Sequence, residues 1–466
     1  MLGMGNMRQW LMNISLVGGW FPAAAFAVIA VLSVTLLVSA AVSKRDGRIL
    51  ATVLPIGVAA VSGMVGYVVA WLLSDVFVVF GVGLGSRVMS WVAAGFAIAG
   101  FAIVHIVLSR GMMRVAAAIL TVFAILAAAI GIDQSYGEYA TIGSLFGEDS
   151  YSQADLTGLA KRKDLITVAQ WRKQAANGTI RNIPANGTVN KIDIPATKSQ
   201  FKARKALVYL PPAALADSKR KPALPVVLML SGQPGSPGRV FQAGGIQTMM
   251  DGYAKTHDGL APIVIAADQL GADSHNTLCV DSKVYGNALT YLTQDVVDWV
   301  KTNLPAAQDA KDWAIAGFSQ GATCSLQIGV NHPDLFGTMI PTDSEIKPTN
   351  GSRQEMIDRF FDGDTTAYEN QVPVNAIRNH APTHQMLIIG AGEKDTTSIR
   401  NVKTIAPVAA KAGMRVAAVE SSGNAHDWHA VQDVLRYGLA VFGHDTGLDG
   451  ANPNLSDYPN LKRITI

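Results

Sequence analysis

Trp313-Ala-Ile-Ala-Gly317-Phe318-Ser319-Gln320-Gly321-Ala-Thr-Cys324 is a short apolar run that meets a Gly-x-Ser-x-Gly turn and continues into small residues. Asp312 to Ala316 read as a buried strand and Ala322 to Val330 as a helix, so the serine falls on the bend between them. Such a bend is a nucleophile elbow. The serine is strained at the tip of the strand, and the flanking glycines let strand and helix approach closely enough to lift its Oγ above the sheet. The helix that follows aims backbone N–H groups at the same point, where a developing oxyanion would find donors and a favourable dipole. The string alone is a weak signal in a chain with 44 glycines, and its flanking strand and helix give it weight. The competing reading is a glycine-rich turn with an ordinary serine.

Around this stretch the pattern is strand, loop, helix, repeated. Val226 to Leu230 and Ile263 to Ala267 are continuous apolar strands, each followed by a Gly/Pro-rich loop. Helix-length stretches follow at Ile246 to Lys255 and Leu289 to Thr302. Beyond the serine come strands at Thr338 to Pro341, Gln385 to Ile389 and Arg415 to Val419, with helices at Val402 to Lys411 and Ala430 to Val441. Strands of this kind are buried on both faces, which predicts a mostly parallel sheet between helices. Two leading strands are expected upstream, at Asn190 to Thr197 and Lys205 to Leu210.

A serine hydroxyl needs a base, and the base needs an orienting carboxylate. On α/β-hydrolase sheets these follow in the order serine, acid, histidine. His426 lies on a glycine-containing loop after the last expected strand and is the preferred base, with His429 second and His444 third. Asp395 in Gly390-Ala-Gly-Glu-Lys-Asp395 is the preferred acid, with Glu393 second and Asp343, one strand earlier, third. The competing reading of Asp395 is a helix cap ahead of Thr-Thr-Ser. The oxyanion hole is expected from the backbone N–H groups of Gln320 and of Gln233, the latter on the loop Leu230-Ser-Gly-Gln-Pro-Gly235. No cofactor and no metal are expected.

The Ser-Gly-Gln loop, the Gly-Phe-Ser319-Gln-Gly elbow, the Gly-Glu-Lys-Asp395 loop and Gly-Asn-Ala-His426-Asp-Trp428 together resemble the esterase family of α/β-hydrolases that includes esterase D, feruloyl esterases and the antigen 85 mycolyltransferases. The resemblance covers about Ala203 to Gly443, and the His-x-Trp segment is its most specific part. It implies a cofactor-free catalytic domain with a small lid or none, acting on acyl esters of small-molecule, lipid or glycolipid type. The chain departs from the mycolyltransferases in offering Asp rather than Glu as acid. A membrane domain ahead of such a hydrolase also resembles uncharacterised actinobacterial membrane esterases.

The first third of the chain is different. With 49% hydrophobic and 16% charged residues and a mean hydropathy of +0.24, the chain is more apolar than a typical soluble protein. Four runs without Asp, Glu, Lys or Arg, at about residues 20–42, 49–73, 88–109 and 115–132, approach the ~20 residues needed to cross a bilayer. They are apolar all round, which argues against buried helices of a soluble domain. His105, in the third run, has no acidic partner in any run and reads as a packing residue. Lys44, Arg45, Arg48, Arg110 and Arg114 fall on one side of the runs and Arg8 and Arg87 on the other. The positive-inside rule then places both ends outside the cytoplasm. Val76 to Gly85 is read as a connector.

The expected organisation is a transmembrane domain over 1–133, a linker and leading strand over 134–200, and an α/β-hydrolase domain over 201–466. A basic patch at Lys161, Arg162 and Lys163 reads equally as a headgroup contact or a solvated helix start. The net charge of +3 is small and its basic residues are scattered, so no nucleic-acid partner is expected. Cys279 and Cys324 suit no zinc pattern; outside the cytoplasm they could form a disulfide, the rival being two buried thiols. The expected function is a membrane-anchored, extracytoplasmic serine esterase. The alternatives are acyl transfer of the mycolyl type to a sugar hydroxyl of the cell envelope, or a non-catalytic binding or assembly protein on the same fold. Transport by the spans lacks any charged site within them, and the oligomeric state is left open.

Overall fold

A computed structural model describes residues 4–42, 48–77, 83–149, 151–160, 162–180, 182–218 and 220–466. The chain divides into two compact units, Met1–Glu148 and Asp149–Ile466. In the first, a short helix α1 (Met4–Met12) precedes α2 (Trp20–Ala41), α3 (Arg48–Trp71), α4 (Gly85–Leu108) and α5 (Met112–Tyr136). The last four helices are long and apolar enough to cross a membrane, the second of them continuing to Val76 through a π turn. They turn large side chains outward, among them Val31, Val34, Val61, Met64, Val122 and Ile125. Small residues face inward: a Cβ on Gly66 would lie 2.7 Å from Phe96, and one on Gly95 2.8 Å from Ala128. His105 is buried with its ring 4.6 Å from that of Phe101. Leu16 N–H donates to Ala140 O and Ile142 N–H to Ile14 O, both at 3.0 Å, so the segments before α2 and after α5 meet at one end of the bundle. Lys44, Arg45 and residues 78–82 of the Val76 to Gly85 connector lie outside the described residues, as does Lys161 of the basic patch.

The second unit is built on one ten-stranded sheet. In chain order its strands are β1 (Ser152–Gln153), β2 (Thr188–Ile192), β3 (Ala206–Leu210), β4 (Val226–Leu230), β5 (Ile263–Ala266), β6 (Trp313–Phe318), β7 (Thr338–Thr342), β8 (Met386–Gly392), β9 (Arg415–Ser421) and β10 (Leu461–Arg463). The spatial order is β1-β2-β3-β5-β4-β6-β7-β8-β9-β10. From β5 through β9 every pair is parallel, while β2–β3, β3–β5 and β9–β10 are antiparallel. Along β6 the side chains alternate between two cores, Trp313 and Ile315 in one and Ala314 and Ala316 in the other. That two-sided burial explains the unbroken hydrophobicity of the strand. The chain leaves β4 toward β5 and returns to the other side of β4 as β6. In open sheets of this kind, a reversal of strand order opens a crevice beyond the carboxyl ends of the strands.

Several boundaries differ from expectation. The leading strand β2 begins at Thr188 and stops before Pro195, which has no N–H to extend a ladder. The helix expected from Val402 starts at Thr396. A fourth strand downstream of the serine, β10, is short, and two of its three residues are exposed, so no apolar run announces it. Residues 149–200 do not behave as a linker. They belong to the second unit, where Leu156, Ile166 and Trp171 are buried in its core. Cys279 and Cys324 are joined in a disulfide.

Candidate active site

The elbow is dictated by main-chain contacts. Ser319 sits between β6 and α8 (Gln320–Asn331; α6 is Ile246–Lys255 and α7 Val296–Asn303) with φ 55° and ψ −116°. That conformation is unusual for a residue with a Cβ, and Ser319 N–H is anchored in it by Thr342 O at 3.0 Å. A Cβ on Gly317 would lie 2.2 Å from Gly321 O, and one on Gly321 2.3 Å from Ser231 O. Both glycines are therefore required by how closely the backbone packs on itself.

His426 reaches the serine from the loop between β9 and α10 (Trp428–Asp445; α9 is Thr396–Lys411). Its Nε2 is 2.8 Å from Ser319 Oγ and its Nδ1 2.7 Å from Asp395 Oδ2. A carboxylate only accepts, so Nδ1 carries the proton and Nε2 is left to accept from the hydroxyl. Asp395 divides its oxygens: Oδ2 faces the imidazole while Oδ1 accepts Ser398 N–H at 3.0 Å, capping α9. The cap reading and the acid reading thus describe two oxygens of one residue. Burial would lower the His426 pKa, but the hydrogen bond to Asp395, together with the charge of that carboxylate, outweighs it and raises it. Burial would raise Asp395, but its bonds to His426 and Ser398 bring it below the usual carboxylate value.

The other candidates lie elsewhere. Glu393 accepts from Gly423 N–H at 2.7 Å and pairs with Lys462 Nζ at 2.9 Å, away from the imidazole. Asp343 is fully buried at the end of β7 and accepts Gly392 N–H at 2.9 Å. His429 and His444 belong to α10, while the imidazole beside Ser319 Oγ is that of His426. Gln233 follows β4, its side chain donating to Ser274 O at 3.2 Å. The adjacent Gly232 lies beside the elbow, where an added Cβ would be 3.6 Å from Ser319 Cβ. Gln320 opens α8, and its side chain amide lies 3.2 Å from Asn276 Oδ1 and 3.2 Å from Cys324 Sγ.

Further residues hold the parts together and carry no motif that would reveal them. Buried Gln269 donates to Ser231 O at 2.7 Å and to Gln320 Oε1 at 3.2 Å, tying the loop after β4 to the elbow. Arg204 bridges Asp268 and Gly235 O. Asp433 accepts from Ser421 Oγ at 2.6 Å and from Asn424 Nδ2 at 3.1 Å, and Asp427 caps α10 through Ala430 N–H, so the histidine loop is fixed at both ends. Asp343, Asp395 and His426 each bring one polar atom within 4.8 Å of the others. Both His426 nitrogens are engaged, Nδ1 with Asp395 and Nε2 with Ser319, so the ring offers no free nitrogen to a metal ion.

The sheet order and the serine at its reversal point define an α/β-hydrolase. Residues 198–438 match the family described as "Putative esterase", and the chain belongs to that family. A relative in Corynebacterium glutamicum, described as an uncharacterized protein, is 32% identical over 333 residues, covering 70% of this chain and 74% of the relative. Among solved structures, a ferulic acid esterase is 16% identical with a TM-score of 0.44, over 57% of this chain and 99% of that one. An S-formylglutathione hydrolase from Agrobacterium tumefaciens is 17% identical with a TM-score of 0.45, over 57% and 98%.

Proposed function

We propose that the chain is a membrane-anchored serine esterase whose catalytic unit lies outside the cytoplasm, and that it cleaves acyl esters through an acyl-Ser319 intermediate. The observation that carries this reading is the row Ser319–His426–Asp395, with both its links under 3 Å. His426 takes the Ser319 proton as Oγ attacks the ester carbonyl, Asp395 holds the ring and offsets the imidazolium charge, and the proton passes to the leaving alcohol. Water, activated by the same imidazole, then releases the acid. The backbone N–H groups of Gln320 and Gln233 are assigned to the oxyanion, an assignment supported by the position of Gly232 against the elbow.

Replacing Ser319 by Ala should abolish turnover of a p-nitrophenyl acyl ester and labelling by a serine-reactive phosphonate; undiminished hydrolysis would falsify the assignment. The outward orientation is supported by the distribution of Lys and Arg between the spans and by the Cys279–Cys324 disulfide, which suits an oxidising compartment. Alkaline phosphatase fused to the C-terminus should be active in cells, and an inactive, stably expressed fusion would place this end in the cytoplasm.

A further inference from the structure

Asp343 is a carboxyl that the hydrogen-bonded row leaves unused. It ends β7 with φ 54° and is completely buried. Its N–H donates to Gly390 O at 2.9 Å and its Oδ1 accepts Gly392 N–H at 2.9 Å, so the end of β8 is held against it just before the chain turns to Asp395. Its Oδ2 is buried and has no partner among the described residues, and one of its carboxyl oxygens lies within 4.8 Å of polar atoms of Asp395 and His426. A buried carboxyl with one unanswered oxygen beside an ionised carboxylate keeps its proton. Burial pushes Asp343 well above the usual range; the nearby imidazole opposes that and Asp395 adds to it.

We propose that Asp343 is a positioning residue and reserve acid of this site: it pins the turn that presents Asp395, and it takes up the carboxylate role toward His426 when Asp395 is removed. The reasoning follows from charge. Asp395 and Asp343 are like groups competing for one imidazole, and only one needs to be ionised to orient it. With Asp395 gone, the repulsion that favours the protonated form of Asp343 disappears. Burial still favours its proton, so what draws that proton off to solvent is the imidazolium formed when His426 takes the serine proton, and Asp343 is then the one carboxyl left to face that charge. The inference rests on the reading of Asp395 as the acid.

The test is a double-mutant cycle on ester hydrolysis by the full chain, with thermal melts to confirm folding. D343N keeps an oxygen for Gly392 N–H and should lower kcat/KM by about fivefold. D395A should lose about a hundredfold yet stay above H426A, and D395A/D343N should fall to the H426A level. The factor lost on adding D343N is then at least about tenfold larger in the D395A background than in the wild type, a coupling expected only of groups that act together. Equal factors in both backgrounds overturn this proposal alone. D343N as damaging as D395A overturns the choice of Asp395 as acid, and this proposal with it. If D395A fails to fold for want of its helix cap, the same cycle with D395N keeps a capping side chain in place.

Discussion

The two halves of the candidate site are held by different physics. The elbow is fixed by backbone packed on backbone: Gly317 against Gly321, Gly321 against Ser231, and Ser319 in a conformation that its neighbours impose. The acid and base loops are fixed by side chains: Asp343 on Gly392, Glu393 on Lys462, and Asp433 on Ser421 and Asn424. A main-chain constraint admits one residue type and leaves a motif. A side-chain constraint can be met by many pairs and leaves almost none.

The comparison breaks most readily at glycines. Gly321→Ala places a methyl 2.3 Å from Ser231 O and 2.6 Å from Leu230 O. Neither backbone oxygen can move without dragging β4 or the loop that follows it. We expect a loss of about 1–3 kcal/mol by overpacking, seen as a lower Tm, with a fall in kcat that exceeds any change in KM. Gly423, in the histidine loop, has a positive φ, 77°, and nothing within 4 Å of an added Cβ. Gly423→Ala should therefore cost only the backbone conformation, about 1–2 kcal/mol, and leave kcat much less affected. If the two variants behave alike, the distinction between backbone-held and side-chain-held halves is wrong.

The same distinction decides what the sequence discloses. Gly317, Ser319 and Gly321 could be read in advance because sterics allow few substitutes there. The parallel strands β4 to β9 could be read because burial on both faces demands continuous apolar runs. The choice between Glu393 and Asp395 could not be derived, since both lie on one turn two residues apart. What separates them is Lys462 on β10, which takes up Glu393, and β10 is too short and too exposed to leave a pattern. Gln269 and Arg204, which brace the loop after β4, are equally silent. Each is a polar residue whose partners are distant in sequence, and only the folded sheet brings them together. The segment 149–200 misled in the opposite direction. Its small polar residues suggest a linker, yet Trp171 is fully buried, its indole N–H donating to Asp258 O at 3.1 Å.

The smallest expected effect concerns charge at the histidine side. Glu345 follows β7, and its N–H donates to Thr323 Oγ1 at 3.0 Å, while that hydroxyl donates to Ser319 O at 3.2 Å. Its backbone is thus tethered to the elbow. Burial pushes it up to about 7, with the nearby His426 charge pulling the other way. In the proposed mechanism His426 must be neutral to accept the serine proton, and its pKa is raised from the ordinary imidazole value. The rate, as kcat/KM, should therefore fall as pH drops through a midpoint raised from the ordinary imidazole value. Interaction between the two groups is mutual, so an ionised Glu345 favours the imidazolium and helps hold that midpoint up. Glu345→Gln removes the charge while keeping the shape, and the acid limb should move to lower pH with the plateau rate retained. A limb that stays in place, or moves upward, would mean that Glu345 does not act on the imidazole and that the charges of the acid loops alone set its titration.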